Sequence, residues 1–546
     1  MPNSAADATL VRRIASAFET YRDRTFLIES MTGRTWTYAE MFNWASRAAS
    51  MLRQQGVRKG DRVALLLANS AEFVSLYFGC LFIGAVAVPV NQSLHASDMR
   101  YILEHSGAHL LLFSRTTRAI LLQATEGLSE LRQMRVMLGQ EQSFHPEDVD
   151  ETWNHEVGAI DGNLVPFSGL ADDDTLIILY TSGTTGHPKG VVHSVRSEFG
   201  NAVAFNDAMG FGTEHRFLHI WPMAYSSGYL NTLMSPFMAG ASVVLAPAFT
   251  AQTILTFWKP VMDHHANTLW LSPTMMAALV RMDRDDRGAE YCRSEVRTVC
   301  AGTAPLPLRL KRDFEAKYGV EALESYGLSE LLIISANVPA FARRDDSVGR
   351  LLAGVELAIA PGEHGEHGEH GGHGGHDEGV AQPIGTEGEI LVRTPFAMDG
   401  YLDPATRAVE PLGRDAWFPT GDIGVLHDDG NLFITGRKKD LIIRGGQNLS
   451  PRAIRDVLLN HPSVVDAIVV GLPHDFYGEE VAAAIKLQAG IELADEKSSL
   501  LQHCRKHLSG AAVPTWLKQI DEFPVGPTGK VLTREVRTWL SLGHTS

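Results

Sequence analysis

The segment from Phe73 to Val90 (FVSLYFGCLFIGAVAVPV) constrains the fold more than any other feature, because only Ser75 in it is conventionally polar. An element with no polar side must be covered all round, by lipid or by further layers of protein. Crossing a bilayer takes about 20 apolar residues in one unbroken element. Here Gly84 and Pro89 divide the run, which reads as a buried helix followed by a short apolar strand. That is the texture of a βα layer inside a large soluble core rather than of a transmembrane segment.

At 546 residues the chain exceeds the size at which a single core stops growing, so at least two domains are expected. With 45% hydrophobic and 21% charged residues it falls among ordinary globular proteins, which excludes disorder as its default state. Its 48 Lys and Arg against 64 Asp and Glu give a formal charge of -16, a sign that repels nucleic acid and anionic lipid. An anionic ligand must therefore be held locally, by backbone amides, a few clustered basic side chains and a metal. Cys80, Cys292, Cys300 and Cys504 show no CxxC spacing, so neither a disulfide framework nor a zinc site is expected, and a reducing cytoplasm fits best. Leu10, Ile14, Ala17, Phe18 and Tyr21 recur at helical spacing around Arg12 and Arg13, which predicts a packed surface helix and not a signal peptide.

Apolar runs at 175–180 (TLIILY) and 242–246 (SVVLA) alternate with helical patterns such as 251–263. The fold class expected is therefore α/β, with mostly parallel sheets covered by helices in the large N-terminal part. Near residues 386–436 the texture changes to short strands and turns, with a hairpin signal at Asp429-Gly430, which predicts a small β subdomain. A basic, turn-rich crossing (RKKDLIIRGG) follows Gly436, so the expected domains are 1–436 and a small α+β unit at 437–546. In that unit Ser450-Pro451 starts a helix, and VVDAIVVG and EVAAAIKL are strands. Residues 362–376 (GEHGEHGEHGGHGGH) place His364, His367, His370, His373 and His376 at every third position; a tolerated loop insertion and a weak metal site are both compatible with them.

The densest chemical signal is YTSGTTGHPKG at 180–190, after the strand TLIIL and before a helical pattern expected from near Val191. Thr181, Ser182, Thr184 and Thr185 supply hydroxyl donors, while Gly183 and Gly186 let backbone amides approach an anion. The segment reads as a triphosphate cradle, with Lys189 at its exit. It is no Walker loop, since no Gly-Lys-[Ser/Thr] follows at the required spacing.

This segment resembles the phosphate-binding signature of the adenylate-forming superfamily, which includes acyl-CoA synthetases, luciferases and peptide-synthetase adenylation domains. Similar family patterns follow in order: TVCAGTAPLP (298–307), ESYGLSE (324–330), WFPTGD (417–422), GRKKDLIIRGGQNLSP (436–451) and PVGPTGK (524–530). Similarity runs from about Leu10 to about Leu540, and the set is more specific than any member. The resemblance implies an ATP-dependent acid:CoA ligase that passes through an acyl-adenylate, with ATP, Mg²⁺ and coenzyme A as cofactors. Tyr326 would stack on adenine, with Gly302, Thr303, Ala304 and Pro305 opposite and Gly327 and Ser329 beside it. Glu330 would hold Mg²⁺, and Asp422 and Arg437 would meet the ribose and phosphate. Lys530 would be catalytic together with Glu330 and Thr184, binding the acid's carboxylate and the α-phosphate at once. Lys439 matches the hinge about which the small domain turns between half-reactions, and Gly445 and Gly446 would flank coenzyme A. Each motif also has a plainer reading alone: a Tyr-Gly strand end, a helix-capping Glu, an Asp turn, a solvated basic cluster, a Gly-Gly hairpin.

In WPMAYSSG (221–228) the chain has Tyr225 where many acyl-CoA synthetases carry histidine. Trp221, Met223, Tyr225 and Gly228 suggest an apolar acyl or aryl pocket, and no aspartate is present to pair with an α-ammonium group. A small-molecule carboxylic acid is the expected substrate. Its identity stays open, as do an acyl carrier protein as acceptor, an amide-forming or luciferase-like second step, a catalytically silent nucleotide-binding protein, and the oligomeric state.

Overall fold

A computed structural model describes residues 9–138, 152–155, 158–181, 187–250, 252–361, 382–413, 415–525 and 531–542. The apolar run forms the helix Ala71–Ile83 and the strand Val86–Pro89. Ser70 caps the helix by accepting from the Phe73 amide, and Gly84 closes it in the left-handed region at φ 70°. The helix lies within the protein because Gly79 lets the neighbouring helix Tyr38–Gln54 come close: a Cβ there would stand 2.8 Å from Ala48 Cβ. Phe18 of the helix Leu10–Thr20 packs its ring against Phe42, Phe78, Phe82 and Phe237, which ties the N-terminus to this core. No helix among the described residues is long and apolar enough to cross a membrane.

Two nine-stranded sheets carry the large part of the chain. In one, the strand Thr175–Thr181 pairs in parallel with Val86–Pro89, which pairs in parallel with Arg62–Leu66. In the other, Arg216–His219, Thr268–Leu271, Thr298–Ala301 and Ala322–Leu328 lie parallel in succession. Antiparallel strands cap both sheets, so the mostly parallel α/β reading holds. A four-stranded antiparallel sheet follows, with Phe418–Leu426 and Leu432–Arg437 joined at the expected Asp429-Gly430 turn. Beyond Arg437 a separate five-stranded sheet begins at Ile442, and the helix Pro451–Leu459 starts under a Ser450 cap. Its two long strands, Val464–His474 and Gly478–Leu487, are the two apolar runs expected.

Two local expectations change. Lys189–Ser194 is a strand paired antiparallel to Thr175–Thr181, and the helix starts only at Val195. The short apolar run GVV cannot separate strand from helix by period, and the sheet edge decides it. The helical pattern expected over 251–263 gives instead a short 3-10 turn, Thr253–Thr256, and then the helix Trp258–Asp263, residue 251 lying outside the described residues. Pro260 has no N–H to give the Thr256 carbonyl, so it fits only the first turn of a new helix. The histidine-rich stretch 362–376 lies outside the described residues.

Candidate active site

The hairpin formed by Thr175–Thr181 and Lys189–Ser194 sets Thr181 opposite Lys189. Ser182, Gly183, Thr184, Thr185 and Gly186 between them lie outside the described residues. The strand Gly400–Leu402 pairs with the outer side of this hairpin, Tyr401 opposite Val191. Tyr401 thereby brings two motifs together: its ring centroid lies 5.0 Å from Lys189 Nζ, and its hydroxyl donates to Glu330 Oε1 at 2.7 Å. Burial and the neighbouring Glu330 charge push the Tyr401 phenol well up, so it stays a donor. Ser329 is anchored through its carbonyl, which accepts from His193 Nε2 at 2.7 Å. His193 is fully buried, and burial lowers it to about 4, so it is a neutral donor.

A second cluster lies at the ends of the other parallel sheet. The turn after Thr298–Ala301 holds Thr303 at φ 73°, a left-handed conformation that a threonine adopts only when its surroundings impose it. Gly302 is needed for close approach, since a Cβ would come 2.9 Å from Ser325 Oγ. At Gly327 the strand Ala322–Leu328 bulges, and a Cβ there would collide with the Leu332 carbonyl oxygen at 2.1 Å. The bulge turns Tyr326 toward Asp422, whose Oδ2 accepts the phenol hydroxyl at 2.7 Å. Asp422 Oδ1 accepts from Arg437 Nε at 2.6 Å, and the two residues are cross-strand partners. Asp422 is 2% exposed, so a buried carboxylate is held by one neutral and one cationic donor. Both carboxylate oxygens are thus engaged, and a ribose would have to use their remaining lone pairs.

Gly302, Thr303, Ala304, Pro305, Tyr326, Gly327, Asp422 and Arg437 line one cleft of about 750 Å³. Its opposite wall comes from the small C-terminal unit and includes Arg452, Arg455, Lys486 and Phe523. Arg281 and Arg309 span the two sides by donating to the carbonyls of Val465 and Leu459, at 3.2 and 2.8 Å. Lys530 lies outside the described residues, but the chain on either side of it reaches the site. Val525 and Val531 both line the cleft and bridge to each other.

Other expected residues stand apart from this cleft. Lys439 is exposed in a short 3-10 turn, Lys438–Asp440, between the two sheets. Gly445 and Gly446, at φ 57° and 80°, form the two-residue turn between Ile442–Arg444 and Gln447–Leu449. They are a Gly-Gly hairpin in this conformation. Tyr225 accepts a 2.6 Å hydrogen bond from Asn91 Nδ2, and Gly228 begins to close a π-helix, Ser227–Met234. A Cβ at Gly228 would lie 2.2 Å from the Pro222 carbonyl oxygen, so glycine is required there. Tyr401 and Asn91 were not singled out from the sequence. Each is recruited from a strand or strand end distant in the chain, and neither sits in a patterned motif.

The cleft thus lies between the parallel-sheet part of the chain and the small C-terminal unit, with the Asp422 carboxylate held in its wall by Tyr326 and Arg437. The chain belongs to the AMP-binding enzyme family: that family model matches residues 14–402, and the AMP-binding enzyme C-terminal domain matches 454–530. It is 30% identical over 515 residues to a long-chain-fatty-acid–CoA ligase of Mycobacterium tuberculosis, covering 93% of this chain and 94% of that protein. A sulfoacetate–CoA ligase of Cupriavidus necator is 29% identical, covering 96% of each. Among solved structures, o-succinylbenzoate CoA synthetase of Bacillus subtilis with its acyl-adenylate intermediate superposes with a TM-score of 0.75 at 26% identity, covering 96% of this chain and 97% of that one. The chain is an AMP-forming acid–thiol ligase.

Proposed function

We propose that the protein joins a small carboxylic acid lacking an α-ammonium group to coenzyme A, in two steps through one cleft. In the first, a carboxylate oxygen attacks the α-phosphorus of ATP, the bond to the bridging oxygen breaks, and pyrophosphate leaves. In the second, the thiolate of coenzyme A attacks the acyl carbon and AMP leaves with the bonding pair. The observation that carries the reading is the Tyr326–Asp422–Arg437 cluster, which lines one cleft together with the Gly302–Pro305 turn and with Val525 and Val531, the two residues of the bridge.

Adenine packs between Tyr326 and that turn, the ribose hydroxyls meet Asp422, and the phosphates sit on the turn from Thr181 to Gly186, with Lys189 at its exit. Lys530 draws the carboxylate and the α-phosphate together, an approximation worth about 7–11 kcal/mol. Glu330, a hard oxygen donor already oriented by Tyr401, suits Mg²⁺; the ion would neutralise charge on the departing pyrophosphate. Tyr225 and Gly228 bound the acyl pocket. Lys439 serves as the hinge between units 1–436 and 437–546, a division supported by the end of one sheet at Arg437 and the start of the next at Ile442. After rotation, Gly445 and Gly446 flank the pantetheine arm. Free coenzyme A is the acceptor favoured, since the relatives are named CoA ligases. The cytoplasm is the compartment proposed, supported by four buried, unpaired cysteines.

Lys530→Ala is expected to abolish ATP–pyrophosphate exchange while still converting a supplied acyl-adenylate to thioester. Exchange at the wild-type rate would refute the role. Purified enzyme given ATP, coenzyme A and a panel of acids should release acyl-CoA; adenylate without thioester would point to a carrier-protein acceptor.

A further inference from the structure

The helix Ala96–Ser106 carries none of the residues discussed so far, yet it touches both feet of the hairpin turn that follows Thr181. Tyr101 and His105 stand one helical turn apart and therefore share a face. His105 Nδ1 is hydrogen-bonded to the hydroxyl of Tyr180 at 2.8 Å, on the strand that enters the turn. The Tyr101 ring lies nearly flat on His187, the first described residue beyond the turn, with centroids 4.6 Å apart and planes at 14°. The same ring stacks on His105 at 5.1 Å and 12°. Tyr180 pairs across the hairpin with Gly190, whose lack of a Cβ leaves room for the ring: a Cβ there would stand 3.3 Å from its Cζ. Burial, with Arg407 and Arg62 nearby, lowers the His105 imidazole below its ordinary value, so the inner end of the stack is neutral.

A tyrosine half-buried on a helix is ordinarily packing alone. What sets this one apart is that a single helical face holds the entering and the leaving strand of one turn, through three near-parallel rings and a hydrogen bond. We propose that Tyr101 and His105 are positioning residues which clamp both feet of the phosphate-binding turn, so that ATP affinity depends on the ring stack His187–Tyr101–His105. The proposal rests on the reading of that turn as the triphosphate cradle. Losing the stack removes a support from the strand ends at Tyr180 and His187, and fixing those ends again on binding ATP is charged against affinity. The acyl pocket, bounded by Tyr225 and Gly228, lies on other elements and is not affected.

The test is pyrophosphate exchange, with ATP and acid varied separately. Tyr101→Leu is expected to raise the KM for ATP about three- to tenfold, the range one aromatic pair supports, with the KM for acid unchanged. Tyr101→Phe, which keeps the ring, should restore the wild-type value. His187→Ala, at an exposed position, should raise the same constant. The double variant should be no worse than the weaker single, because each removes the same contact. An unchanged KM for ATP in Tyr101→Leu, an equal rise for the acid, failure of the phenylalanine to rescue, or additive effects would each overturn the clamp. Wild-type enzyme without any ATP-dependent exchange would overturn the function itself, and the clamp with it.

Discussion

Replacing Glu198 by glutamine should make the protein more stable at neutral pH and no more stable in acid. Glu198 lies on the helix Val195–Met209 with no exposed surface, and neither carboxyl oxygen has a hydrogen-bond partner among the described residues. Burial raises its pKa from 4.5 to about 8, and its charge would also act on the phenols of Tyr77 and Tyr229. In the unfolded chain the group ionises near 4.5, in the fold only near about 8. Between those values the folded state keeps a proton that the unfolded state has released. Stability is therefore fully present below the lower value, falls as pH rises, and levels off above the higher one. At about 1.4 kcal/mol per pH unit, the loss accumulated by pH 7 is about 3 kcal/mol. Glutamine keeps the shape and the buried polar atoms but cannot ionise, so it isolates this term. Urea unfolding followed by tryptophan fluorescence at about pH 5 and about pH 7.5 should show the gap between variant and wild type widening by about 3 kcal/mol. Thermally the gain is small, about 3 °C for a domain of several hundred residues at about 2.1 cal/mol/K of unfolding entropy each. A gap that stays constant across this range would refute a carboxyl kept neutral by burial at this position.

Three further outcomes are expected. Tyr326→Phe removes the donor to Asp422 Oδ2; a hydrogen bond to a charged group is worth about 1.5–3 kcal/mol, so the KM for ATP should rise at least about tenfold. An unchanged value would detach Asp422 from the nucleotide. Lys439→Pro should leave pyrophosphate exchange near wild type and depress thioester yield, and equal loss of both half-reactions would argue against a hinge there. Gly228→Ala forces a Cβ toward the Pro222 carbonyl, so overpacking of about 1–3 kcal/mol should appear as lost acid affinity with ATP binding retained, checked by titrating each ligand separately.

Much of the fold around this candidate site was legible in the chain because its parts are local. The Asp429-Gly430 turn, the Ser450 cap and the strand TLIILY each depend on residues a few positions apart, and each formed where expected. Periodicity failed where a run was too short to carry a period. GVV reads equally as strand or helix until the neighbouring strands Thr175–Thr181 and Gly400–Leu402 offer it ladders on both sides.

The sequence by itself determined a multilayered α/β protein, since an all-apolar helix and strand divided by Gly84 must be enclosed by other layers. It also determined the order of the motifs along the chain, since those are words of fixed spacing. Only the tertiary structure decided that Tyr401 would join Lys189 to Glu330, that Asn91 would hold Tyr225, and that Asp422 would be gripped from two sides. Those contacts bring together segments far apart in sequence, and where they rest on strands, as at Lys189, Tyr326, Tyr401, Asp422 and Arg437, a register shift of one residue would turn the side chain to the opposite face.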